Sequence, residues 1–187
     1  MQSTAIFYLM IFLSGLASLV YEVVWSRQLT LVFGVSIYAV SAVVAAYMAG
    51  LAAGSYYFGK KIDHMQNPLR LYALLEIGTA LYAGAFLLFL PHFTGISTAL
   101  IPATASQALK LGIRFLLAGS MLLFPTLLMG GTLPVLLKAF PARFARLGRS
   151  VASLYGINTL GAAAGALLSG FVTLQFLGNR GSIIAGM

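Results

Sequence analysis

Cysteine is absent from all 187 residues, and three acids stand against eleven lysines and arginines. Without a thiol there is no disulfide framework, no thiolate metal site and no cysteine nucleophile. The acids are Glu22, Asp63 and Glu76, and the histidines are His64 and His92. That inventory is too thin for titratable groups to converge as an acid–base centre, and two histidines without a nearby carboxylate or thiolate do not make a zinc site. Charged residues make up 7% of the chain, where a soluble domain carries about a quarter. No catalytic residue, cofactor-binding residue or metal ligand is expected.

Hydrophobic residues fill the space, at 60% of the chain and a mean hydropathy of +0.98. Five stretches, 5–24, 35–58, 71–90, 115–137 and 151–177, meet the length needed to cross a hydrocarbon core of about 30 Å. None alternates as a barrel strand would. The first lacks a basic leader and a small-residue cleavage site and is too long for a signal-peptide core, so it reads as a retained helix. The fold class is therefore an all-α integral membrane domain of five spans. A turn at 177–180 is followed by a possible sixth-span stub at 181–187, which implies either a fragment or a chain ending in a stub.

Basic residues lie in short connections rather than on one broad face, which argues for membrane orientation and against nucleic acid. With the N-terminus cytoplasmic, Lys60, Lys61, Arg70, Lys138, Arg143, Arg146 and Arg149 fall inside, and Arg27, Lys110, Arg114 and Arg180 outside. Seven against four favours that orientation. Arg143, Arg146 and Arg149 also suit anionic lipid headgroups. Residues 91–110 read as an outer loop with an interfacial segment.

Small residues cluster on one face of the second span, including Gly50 and Gly54, and of the fifth, where Asn158, Gly161 and Gly165 recur. Such faces let helix backbones approach closely. Pro125 and Pro134 each remove a backbone donor and are expected to kink or break the fourth helix. Trp25, Tyr21, Tyr56, Tyr57, Tyr72 and Phe93 read as interfacial belts.

Glu22 follows a nearly unbroken apolar run, where an ionisable group needs an offsetting partner. It sits at the outer end of the first span, within reach of Arg27, Arg114 or Arg180. Glu76 is expected at the inner end of the third, near Lys61, Arg70 or the 143–149 arginines. The candidate buried ion pairs are thus drawn from Glu22, Arg27, Arg114, Glu76 and Arg70, with the two glutamates too far apart to act together. Ser14, Ser18, Tyr21, Glu22 and Trp25 share one helical face that should meet protein rather than lipid.

Five blocks in order carry a family resemblance: SGLASLVYEVVWSRQLTLVFG at 14–34, AVSAVVAAYMAGLAAGSYYFGKKID at 39–63, LYALLEIG at 71–78, GGTLPVL at 130–136 and RLGRSVASLYGINTLGAAAGALLSGF at 146–171. The chain resembles the membrane domain of the membrane-bound spermidine synthase-like family, the fused major-facilitator/spermidine synthases. The resemblance implies a bundle like one half of a major-facilitator transporter, with Gly54, Gly59, Lys60, Lys61 and Asp63 as its loop signature. Enzymatic members carry a soluble aminopropyltransferase domain after the membrane part. No such domain follows Met187, so synthase activity is not expected.

Three functional expectations follow. The first is a non-catalytic bacterial inner-membrane subunit packing by its small-residue faces within a larger complex or homo-oligomer. The second is a transporter-like half-bundle dimerising around a cavity for a small anionic or lipid-like substrate. The third is the anchor of a synthase whose catalytic domain is missing here. Three acids against eleven basic residues disfavour a polyamine as transported cation.

Overall fold

The computed structural model describes residues 2–33, 37–101, 104–139 and 147–187. Among the described residues there are helices and no strands. The long helices are α1 (Gln2–Phe33), α2 (Ile37–Lys61), α3 (Pro68–Leu100), α4 (Gln107–Ala139) and α5 (Leu147–Leu168). A π-helical turn, Ser169–Thr173, and the single turn α6 (Leu174–Phe176) extend α5. Gly178 then takes φ of 65°, a left-handed conformation that glycine adopts without steric cost, and the chain continues into α7 (Gly178–Gly186). Five of these helices are long and apolar enough to cross a membrane. Their outer surface is greasy as well: Leu81, Leu88, Leu116 and Phe171 are each exposed by two thirds or more.

Several helices outrun the expected spans. α3 continues through Pro91 to Leu100, so the expected 91–110 loop shrinks to the few residues before Gln107. At its other end, α3 starts with Pro68, whose missing amide hydrogen is no loss in a first turn.

The two most extensive helix pairings are α2 with α4 and α1 with α5, and glycine makes both possible. A methyl group on Gly15 would fall on the Asn158 carbonyl oxygen, and one on Gly161 would fall on that of Phe12. In the other pair, one on Gly54 would fall on the Leu127 carbonyl and one on Gly130 on that of Leu51. The same rule holds four times: each glycine sits against the carbonyl three residues before the glycine of its partner helix. Gly165 repeats the contact one turn on, against Leu16, and Gly50 lies against the Thr126 side chain. Contacts advance together along both chains, so each pair runs parallel. Backbones this close allow Cα–H···O=C contacts worth roughly 0.5–1 kcal/mol each. Gly50 and Gly54 of α2 and Gly161 and Gly165 of α5 are therefore occupied inside the chain itself.

α4 does not break at its prolines; it runs unbroken from Gln107 to Ala139. Pro125 has no amide hydrogen to give the Met121 carbonyl four residues back. The Tyr82 hydroxyl of α3 donates to that carbonyl instead, at 2.6 Å. α3 thereby repairs the helix it packs against.

A core forms around Trp25, which is fully buried. Its ring stacks on Tyr21 with centroids 5.3 Å apart and meets Phe86 at 5.6 Å and Tyr82 edge-on at 6.1 Å. Trp25, Tyr21 and Tyr72, read from the sequence as interfacial, are buried against protein. α1 runs eight residues beyond Trp25, carrying it deep into the bundle. Tyr56 and Tyr57 are exposed. α7 closes this core, with Ile183 buried in it and the Tyr21 hydroxyl donating to the Gly186 carbonyl at 2.7 Å.

Two stability outcomes follow. Gly54→Ala and Gly161→Ala should each lower stability in detergent by about 1–3 kcal/mol, because a backbone oxygen must move. Gly156→Ala, which faces open space, should be neutral or gain up to about 1 kcal/mol in unfolding titrations. Equal effects at all three sites would contradict the crossings. Tyr82→Phe should cost about 1–3 kcal/mol by orphaning the Met121 carbonyl. Pro125→Ala, which restores the missing amide hydrogen, should recover most of that loss in the double variant.

Candidate functional site: a polar cleft between two helix crossings

Where the two glycine crossings face one another, α1, α2, α4 and α5 enclose a cleft of about 260 Å³. Each helix supplies polar atoms to it: Ser18 from α1, Tyr47 and Ser55 from α2, Thr132 from α4, and Tyr155 and Asn158 from α5. Tyr47 is buried and donates to the Ser18 carbonyl at 3.2 Å, tying α2 to α1 at the cleft floor. Ser55 and Tyr155 stand exposed at the mouth. Among the described residues the lining offers hydroxyls and one amide and no charged side chain, so it suits a small hydrogen-bonding molecule better than a cation.

Thr132, Leu133 and Asn158 also line a smaller void reaching Ser14 and Tyr72. It has no room for a water molecule. Beyond it Ser14 Oγ donates to Glu76 Oε1 at 2.6 Å, across α1 and α3. Glu76 is thus eight residues into α3, about 12 Å from its start at 1.5 Å per residue, and not at the helix end. Glu22 lies eight residues beyond Ser14 on α1, a further 12 Å or so along the axis. The two glutamates cannot share a proton.

Among the described residues the ion pair that forms is Lys138 with Asp63, at 2.9 Å on the surface. It joins α4 to the turn after α2, and an exposed pair of this kind adds little to stability. Glu76 meets a hydroxyl rather than Arg70, which lines a surface pocket beside Lys138. Arg27 is exposed and Glu22 half-buried, and no ion pair joins them among the described residues. Arg114 is placed in α4 by its backbone alone, and Arg149 in α5 likewise, while Arg143 and Arg146 lie outside the described residues. In the loop signature, Lys60 and Lys61 each reach back one turn to a tyrosine, with Nζ to the Tyr56 and Tyr57 hydroxyls at 2.6 and 3.3 Å.

His92, expected in a loop, is an exposed residue of α3. The described residues hold no cluster of three or more His, Asp or Glu side chains able to ligate a metal. Tyr47, Ser55 and Tyr155 escaped the sequence reading, since isolated hydroxyls in apolar spans carry no periodic signal. No family model, curated protein or solved structure matches the chain.

The Ser14–Glu76 bond can be read by a double-mutant cycle. Ser14→Ala and Glu76→Leu should couple by about 0.5–3 kcal/mol in unfolding measurements, whereas Glu76→Gln, which keeps an acceptor oxygen, should retain most of the bond. Simple additivity would show that the contact is not made.

Proposed function

We propose that this chain is a non-catalytic, transporter-like half-bundle of the bacterial inner membrane, whose α1–α2–α4–α5 face lines a pathway for a small solute and is completed by a second bundle. The observation that carries this reading is the cleft between the glycine crossings. Five apolar helices have little reason to gather hydroxyls and an amide from four elements around one opening unless something polar enters it. The absence of acids from its lining favours an uncharged or anionic solute over a polyamine. A second copy of the chain is the simplest completing bundle, consistent with the half-bundle implied by the resemblance to the fused major-facilitator family.

The reading as a packing subunit of a larger complex shares the fold and differs at the cleft, which then has no solute to admit. The anchor reading leaves the cleft equally idle. Crossing glycines already engaged within the chain favour the solute pathway, because Gly50, Gly54, Gly161 and Gly165 meet neighbouring helices of the same chain rather than a partner.

The lack of native cysteine gives a direct test, since an introduced thiol is the sole thiol present. In native membranes Ser55→Cys and Tyr155→Cys should react with a water-soluble maleimide, while Leu81→Cys on the apolar exterior stays inert. Oxidation of the Ser55→Cys protein should trap a covalent dimer if a second copy completes the cleft. Ser55 and Tyr155 thiols as unreactive as the Leu81 thiol would overturn the pathway and leave the packing role.

A further inference from the structure

The inner wall of the cleft is made of hydrogen-bond acceptors. Tyr47 gives its hydroxyl hydrogen to the Ser18 carbonyl, and Thr132 Oγ1 gives its own to the Met129 carbonyl at 2.7 Å. A hydroxyl has one hydrogen and two lone pairs, so each of these oxygens meets the cleft as an acceptor.

A third acceptor comes from the backbone. Pro134 has no amide hydrogen to return to the Gly130 carbonyl four residues back, and Gly130 lines the cleft. Pro125 leaves the Met121 carbonyl in the same position, but there Tyr82 donates to it. No side chain among the described residues does this for Gly130. Backbone carbonyls without a donor are uncommon in folded proteins, and this one belongs to a residue that a solute can touch.

The same helices deny the cleft what an ion needs. Every lining residue lies well past the first turn of its helix, so its amide hydrogen goes to a carbonyl of that helix and not to the cleft. With no cationic side chain among the described lining either, an anion has little to hold it. A cation would find oxygen atoms but no carboxylate, since Glu76 lies beyond a void with no room for water.

We infer that the cleft takes a small uncharged polyol, held by hydrogens it donates to the Gly130 carbonyl, Thr132 and Tyr47. Its own oxygens accept from Ser55, Tyr155 and Asn158, whose side chains have no hydrogen bond among the described residues. Leu51 and Leu133 take its C–H face. At about 260 Å³ the cleft is below the usual size of drug-binding pockets, which keeps the molecule small. The inference rests on the solute-pathway reading and narrows it by removing the anion.

Glycerol, glycerate and aminopropanediol share a carbon skeleton and are neutral, anionic and cationic at neutral pH. The readout is the rate at which a water-soluble, thiol-selective methanethiosulfonate labels the Ser55→Cys protein in native membranes. Glycerol should slow labelling saturably, and either charged probe should slow it less. In the same background Thr132→Val removes an acceptor, and Pro134→Ala restores the amide hydrogen that occupies the Gly130 carbonyl. Each should weaken the protection by glycerol about two- to tenfold, the loss of about one hydrogen bond. Protection unchanged in whichever of the two folds overturns the inference, as does stronger protection by glycerate or by the amine. A thiol that labels freely whatever the glycerol concentration overturns the polyol and leaves the pathway standing. A thiol that never labels overturns the pathway itself, and the polyol with it.

Discussion

The bundle depends on backbone meeting backbone. At Gly15, Gly54, Gly130 and Gly161 a carbonyl oxygen of the neighbouring helix occupies the space that a side chain would need. Nothing larger than hydrogen fits, so the two parallel pairs are fixed in register as well as in contact. The remaining architecture follows from those pairs. The cleft is the gap left between them, and α3 is displaced to the outside of α4, where it meets α1 only lightly. The short α7 then fills the corner between α1 and α3.

Hydrogen-bonding groups follow a matching economy. Thr30, Thr79, Thr126, Thr159 and Ser182 all return their hydroxyls to a carbonyl one turn back on their own helix, so these hydrogen bonds join no two helices. Such bonds are the usual refuge of a hydroxyl in an apolar helix. Ser14 breaks the pattern by reaching across to Glu76, and Tyr82 breaks it by reaching across to Met121. Those departures mark where α3 is tied to its neighbours. Trp25 is the opposite case, since its indole nitrogen is buried without a hydrogen-bond partner among the described residues and its ring is held by packing contacts.

Element existence was plain in the amino-acid pattern, because five long apolar runs admit few other readings. Element ends were less so: α1 and α3 extend well past the apolar runs, α3 taking in Pro91. The glycine faces of α2 and α5 could be read as surfaces for close approach, but periodicity says nothing about which helix arrives there. The neighbour of Glu76 was hidden for the same reason. Charge suggested arginine, whereas the chain crossing puts a serine of α1 there. Pro125 announced an orphaned carbonyl at Met121, and only the packing of α3 could supply the tyrosine that answers it.

That tyrosine has a mechanical meaning. A lone hydroxyl–carbonyl bond fixes height along an axis and leaves angle free, as a pin does in a joint. Between α3 and α4 the bond sets the height at Tyr82, and the crossing angle is left to side-chain packing, Tyr82 against Phe124 included. The indole of Trp25 rests on Tyr82 and Phe86, so α1 takes its own height from the same joint.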